Sequence, residues 1–162
     1  SDINACAINP VLVLGPSLTG VLSMSNRLTI KKLFNLPFVP DMAISVVGVM
    51  DVADAHVRAM ESTKSNGKRF LLSEKTIKLV ELTKILKKAG FNKVPTRVIP
   101  NFIFKFLALF TPSLRSIAKR LGTFEKLHTK NANDLLGWFP KNAEMEIINS
   151  AKQLYDVGIL KN

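Results

Sequence analysis

Hydrophobic positions follow two rhythms along this chain, short unbroken runs early and helical stripes later. Residues 3–8 and 11–14, divided by Asn9-Pro10, carry Val, Ile and Leu on both faces and predict strands of a covered parallel sheet. Further strands are predicted over 44–49 and, after an Asn66-Gly67 turn, over 69–72. Residues 19–34 read as a loop and a helix, with Ser25 or Asn26 as cap and Leu28, Leu33 and Phe34 as its apolar side. The sequence LPFVPD, 36–41, reads as a proline-bounded turn. In the helix after 44–49, Asp51 is placed as cap and Asp54 completes a capping box, while Val52, Ala55, Ala59 and Met60 face the core.

The second half reads as mostly helical. Thr76 is expected to cap a helix ended by Gly90, with Leu79, Leu82, Ile85, Leu86 and Ala89 on one face and Lys78, Glu81, Lys84 and Lys88 opposite. Helices follow over 101–110 and 113–121, then a short one stopped at Gly137 with Trp138 packing back. Asn142 is expected to cap a final helix that has Glu144 and Glu146 near its positive end. Its buried face is Ile147, Ile148, Ala151, Leu154 and Tyr155. The first strand poses a question, because a parallel strand needs a neighbour and the next candidate is far along the chain. The expectation is that its neighbours lie upstream.

Composition narrows the class. With 162 residues, 47% of them hydrophobic, and a mean hydropathy of +0.18, the chain reads as one globular domain. Cys6, the single cysteine, is expected as a small core residue; no disulfide can form, which suits a reducing, cytoplasmic setting. The longest apolar stretch, 98–110, is broken by Pro100, Asn101 and Lys105. It is short of the roughly 20 residues a membrane span needs, so it reads as a buried or lid helix. A net charge of +11 asks for anionic partners, but the bases are spread and seldom interleaved with aromatics. A solvated basic surface is expected, with neither nucleic acid nor membrane as partner.

Candidate chemistry is sparse. Glycines stand at 15, 20, 48, 67, 90, 122, 137 and 158, which builds neither a GxGxxG loop nor a P-loop. His56 and His128 are isolated and read as structural, and no Cys/His spacing suits a metal. The twelve acids form no evident acid–base pair, and the residue four after Tyr155, the single tyrosine, is Ile159. No catalytic residue and no metal ligand is expected in the chain.

Three segments in order carry a resemblance: INPVLVLGPSL (8–18), VVGVMDVADAHVRAMES (46–62) and GKRFLLSEKTIKLVELTKIL (67–86). With the later NANDLLGWFPKNAEMEII (131–148), they resemble the C-terminal half of the extended short-chain dehydrogenases, in the dihydroflavonol reductase-like branch of the NAD-dependent epimerase/dehydratases. The resemblance implies an α/β fold, the C-terminal fragment of an extended Rossmann-type enzyme: last sheet strands plus a mostly helical substrate-binding part. Residues 1–162 would be one substrate-binding region. The dinucleotide-binding Rossmann part, with its glycine-rich loop and Tyr-x-x-x-Lys site, would precede it and be absent here.

The resemblance also implies a site. Positions matching Asn9 and Pro10 lie against the nicotinamide, Val13 packs near the ring, and Ser23, Ser25 and Asn26 match a loop approaching the cofactor phosphate; as a plain helix cap, that loop is read equally well. The family motif Val-Asp-Val-Arg-Asp-Val-Ala is here Val47-Gly48-Val49-Met50-Asp51-Val52-Ala53, with an acid and a base replaced. Residues 18–22 and the 99–110 helix would wall an apolar substrate pocket. The implied function is the substrate-binding half of an NAD(P)-dependent oxidoreductase reducing a small hydrophobic aldehyde or ketone, inactive and without bound cofactor on its own. Its rivals are a nucleotide-sugar epimerase or dehydratase of the same family and a basic non-catalytic binding module. An unpaired apolar flank on the first strand would let the isolated piece self-associate.

Overall fold

Val46 and Val47 are both fully buried, and neighbours on an extended strand point to opposite faces, so the sheet at this point is covered on both sides. A computed structural model of the chain describes residues 4–19, 21, 23–125, 127–141 and 143–160. The two valines lie on β4 (Ala43–Gly48), the centre of a three-stranded sheet ordered β2-β4-β6. There β2 (Leu12–Leu14) runs parallel to β4, and β6 (Lys75–Lys78) runs antiparallel to it. Val46 enters one core with Leu14, Ile30, Leu82 and Ile147. Val47 enters a second with Ala55, Phe70, Leu72 and Trp138.

The opening strand has a partner after all, and it lies downstream. β1 (Ala7–Pro10) pairs in parallel with β5 (Arg69–Leu72), Ala7 opposite Arg69 and Pro10 opposite Leu72. Its strand is shorter than expected and takes in Asn9 and Pro10. Residues 4–6 are outside it, and Cys6 is exposed rather than in the core. Proline survives here because of register. The N–H groups of Ala7 and Val11 donate to Lys68 and Leu72, so alternation points the position of Pro10 away from β5, where a missing donor costs nothing. Among the described residues, nothing pairs with that other edge.

Two expectations about turns are corrected. LPFVPD contains a strand, β3 (Val39–Pro40), parallel to β7 (Val98–Ile99). Thr76 does not cap a helix; it lies in β6, its hydroxyl 2.8 Å from that of Ser45 across the strand pair. The helix there, α4 (Leu79–Lys88), begins after Lys78, whose N–H donates to Glu81. Its stripe of Leu79, Leu82 and Leu86 is buried as expected.

The remaining helices are α1 (Met24–Asn26), a π-helical turn (Arg27–Lys31), α2 (Lys32–Phe34), α3 (Val49–Glu61), α5 (Asn101–Phe110), α6 (Pro112–Ala118), α7 (Lys130–Leu136) and α8 (Ala143–Asp156). In α3, Met60 faces solvent, Asp54 pairs with Arg58 at 2.6 Å rather than closing a capping box, and the Nδ1 of His56 bonds its own helix at Val52 O. Gly137 ends α7 with φ +61°, where glycine is favoured. Trp138 then folds back, fully buried, its N–H donating to Ala132 O and its indole Nε1–H to Asp51 O at 2.8 Å. Tyr155 is half exposed rather than core, touching the Phe91 ring edge-on. Asn142, the expected cap of α8, is outside the described residues; the Ala143 N–H donates to Glu74 Oε2 at 2.6 Å.

Candidate active site

Where β2 ends, the chain turns at Gly15 with φ +148°, a conformation side chains rarely adopt. A Cβ there would stand 2.3 Å from Val49 Cγ1 and 3.0 Å from Glu146 Oε2. The glycine therefore lets loop 15–19 lie flush on the start of α3. This is the carboxyl end of two neighbouring parallel strands, β2 and β4, the place where open α/β sheets hold ligands.

Helix α8 fixes this loop from beneath. Gly15 N–H donates to Ser150 Oγ at 2.8 Å, Ser17 N–H donates to Gln153 Oε1 at 2.9 Å, and Gln153 Nε2 donates back to Ser17 O at 2.8 Å. Asn26, fully buried, donates from Nδ2 to Gly15 O at 2.8 Å. Ser23, not Ser25 or Asn26, is the cap of α1, accepting from Asn26 N–H at 3.1 Å. The helix begins at Met24, so Ser23 occupies the capping position and Ser25 and Asn26 lie within the first turn.

Above the loop lies a cavity of about 370 Å³ lined by Val13, Gly15, Ser17, Ser23, Ser25 and Val49, among others. Of the five residues singled out from the sequence, Val13, Ser23 and Ser25 thus come together. Asn9 and Pro10 do not join them; they are exposed on β1, outside this lining. Leu18 borders the cavity, but no described residue of α5 does, so the 99–110 helix is not its wall. A larger groove of about 560 Å³ runs beside β1 past Cys6, His56 and Met60, and another of about 430 Å³ lies at the opposite end of β4, by Met42 and Leu114. Neither holds any of the five, and neither sits at the carboxyl ends of β2 and β4. Among the described residues, no group of three or more His, Cys, Asp or Glu can hold a metal ion.

Sequence reasoning missed the residues that shape the loop: Gly15, Glu146, Ser150 and Gln153. A signal existed, since 146, 150 and 153 recur at the i, i+4, i+7 spacing of one helix face, polar positions within an otherwise apolar stripe. Asp51, expected as a cap, is the third residue of α3 and buried.

Glu146 is the one perturbed acid among these groups. Burial, then the negative charge of Asp51, raises its pKa above the ordinary 4.5, with an opposing hydrogen bond from Asn149; its Oε2 is buried without a hydrogen-bond partner. A raised native pKa means the folded state holds the proton while the unfolded state releases it. The stabilisation is complete below pH 4.5 and is lost as pH climbs through the native value. Glu146→Gln is therefore expected to flatten stability across that window and to exceed wild type above it. Urea unfolding at a series of pH values checks this, and parallel pH profiles for the two proteins would refute it.

The arrangement resembles known enzymes in fold. No family model matches the chain. A cinnamoyl-CoA reductase of Medicago truncatula is 32% identical over 88 residues, 54% of this chain and 27% of that protein. The yeast methylglyoxal/isovaleraldehyde reductase Gre2, solved in complex with NADPH, superposes with TM-score 0.69 at 24% identity, over 97% of this chain and 45% of its own. The terminal R domain of the myxalamid PKS-NRPS pathway gives 0.67 at 17%, covering 98% and 46%. UDP-glucose 4-epimerase of Thermotoga maritima gives 0.62 at 19%, covering 93% and 45%. The chain spans less than half the length of each of these structures. No helix among the described residues is long and apolar enough to cross a membrane. In sequence over those 88 residues the chain is similar to a cinnamoyl-CoA reductase, and in fold it is similar to the matching portions of these reductases and of the epimerase.

Proposed function

We propose that residues 1–162 are the substrate-binding region of a longer NAD(P)-dependent reductase of the dihydroflavonol reductase-like branch, acting on a small hydrophobic aldehyde or ketone. The observation that carries this reading is the cavity at the carboxyl ends of β2 and β4, where Val13, Ser23 and Ser25 converge. The lining fits part of a nicotinamide cofactor. Val13 is apolar and half-buried, suited to a ring face, and the two serine hydroxyls are small polar groups able to donate to a carboxamide or phosphate. Gly15, where a Cβ would collide with Val49, keeps the loop backbone low against the sheet. Asn9 and Pro10 stay exposed on β1 and, on this reading, would be met by the preceding domain.

The cofactor supplies a hydride when bound. This chain's part is to orient the ring and to keep water from the substrate with apolar walls. The proton donor and the glycine-rich loop belong, on this reading, to the preceding region, which also pairs with the free edge of β1.

The test is to join the chain to the upstream portion of its reading frame and follow NADPH or NADH oxidation with a hydrophobic aldehyde. Turnover is expected from the joined protein and none from residues 1–162. The double change Ser23→Ala with Ser25→Ala should weaken cofactor binding about tenfold, the effect of one or two hydrogen bonds. A joined protein with Tyr-x-x-x-Lys that oxidises neither cofactor, or serine changes without effect on affinity, would set the reading aside.

A further inference from the structure

We propose that the α5–α6 hairpin docks the protein on the surface of an anionic lipid bilayer. This is independent of the reading of the β2–β4 cavity. Two observations made on different features carry it.

The first is the outward face of α5. Phe104 and Ala108 hold the helix to the body, Phe104 packing edge-on against Phe38. At about 100° per residue, Phe102, Phe106 and Leu109 then share the opposite side, with Phe110 and Ile103 on one flank and Lys105 on the other. The structure agrees: Phe102 and Phe110 are each 74% exposed, Leu109 65% and Phe106 59%. The rings of Phe106 and Phe110 pack on each other in solvent, 5.3 Å between centroids. Single exposed hydrophobics are common, but a contiguous aromatic face marks an interaction surface.

The second is charge. Residues 82–124 contain nine bases, Lys84, Lys87, Lys88, Lys93, Arg97, Lys105, Arg115, Lys119 and Arg120, and no acid. Among the described residues, none of the nine forms an ion pair. Arg115 lies beside the aromatic face, donating to Ala108 O and Leu109 O at the end of α5, and Lys119 and Arg120 follow on exposed backbone.

A phenylalanine-and-leucine face rimmed by unpaired bases fits a bilayer with negative headgroups, the rings entering the acyl boundary and the bases meeting phosphate. A second copy of the chain fits poorly, because pairing this surface with itself would press Lys105, Arg115, Lys119 and Arg120 against their own copies with no acid of the hairpin to offset them. The helix does not span: α5 has 10 residues, and the bound orientation is in the plane of the surface.

The experiment is co-sedimentation of the 162-residue chain with phosphatidylcholine vesicles and with phosphatidylcholine–phosphatidylglycerol vesicles. Binding is expected to the mixed vesicles only, and to fall with added salt. Phe106→Ser with Phe110→Ser, both on solvent-facing positions, should lower it at least about tenfold. Lys119→Glu with Arg120→Glu should lower it while leaving the rings intact. Equal binding to neutral vesicles, or unchanged binding by either double variant, would overturn the proposal. So would size-exclusion showing a dimer that the serine variant dissolves, or loss of binding once an upstream portion is joined, since the face would then belong to a protein contact.

Discussion

Replacing Trp138 by alanine is expected to cost about 3–5 kcal/mol, the usual range for removing a large buried aromatic. Domains of this size have about 5–15 kcal/mol in all, so the variant should lose a large share of its stability and unfold at a markedly lower urea concentration. The reason is position. Trp138 is the largest fully buried side chain and sits in the core shared by Val47, Ala55, Phe70 and Leu72. It also carries the donor that satisfies Asp51 O inside α3. Phenylalanine at 138 separates the two contributions: most of the packing stays, the indole N–H goes, and a loss nearer about 1–3 kcal/mol is expected. Urea denaturation followed by circular dichroism reads both, since the single tryptophan is the residue replaced. An alanine variant within about 1 kcal/mol of wild type would show that this core can collapse around the gap.

Gly15→Ala is the second large effect, and the more informative for the site. Its Cβ would meet Val49 Cγ1 at 2.3 Å while the backbone holds φ +148°. A non-glycine residue in such a region costs about 1–3 kcal/mol before any clash, and the overlap adds an overpacking cost of similar size. Relief requires the loop to rise from α3, breaking the Ser150 and Asn26 bonds to Gly15. Lower stability is therefore expected together with faster amide exchange at Gly15 and Ser17. Gly67→Ala is the comparison: φ is +68° but nothing lies within 4 Å of an added Cβ, so it should cost about 1–2 kcal/mol without touching the site. Equal effects at both positions would mean the contact with Val49 is unimportant.

Long periodic signals were readable from the sequence. The stripe Leu79, Leu82, Leu86 announced α4, 101–110 coincided with α5, and Gly137-Trp138 gave both a helix stop and a core anchor. What was illegible lacked a period. β3 and β7 are two residues each, too short for alternation to register. Residues 75–78, Lys-Thr-Ile-Lys, read as a helix start because threonine also caps, and only the pairing with Ala43–Val46 decides for strand. The helical segment from 24 to 34 is visible, but its π-turn and the exact start after Ser23 leave no periodic mark in so short a stretch. For the candidate site, Val13, Ser23 and Ser25 come together at one end of the sheet while Asn9 and Pro10 do not. The clamp from α8 was hidden because its partners are 135 and 136 positions apart.

That separation has a consequence for how the protein is made. Gly15 and Ser17 leave the ribosome long before Ser150 and Gln153, and at roughly 5–20 residues per second the interval is on the order of ten seconds. Throughout it, β2 has reached its carboxyl end but the loop beyond lacks the hydroxyl and amide that hold it. The strands can pair earlier, since β4 follows β2 closely. Assembly of the cavity is thus timed by the arrival of α8, and a nascent chain acquires its sheet well before it acquires this cavity.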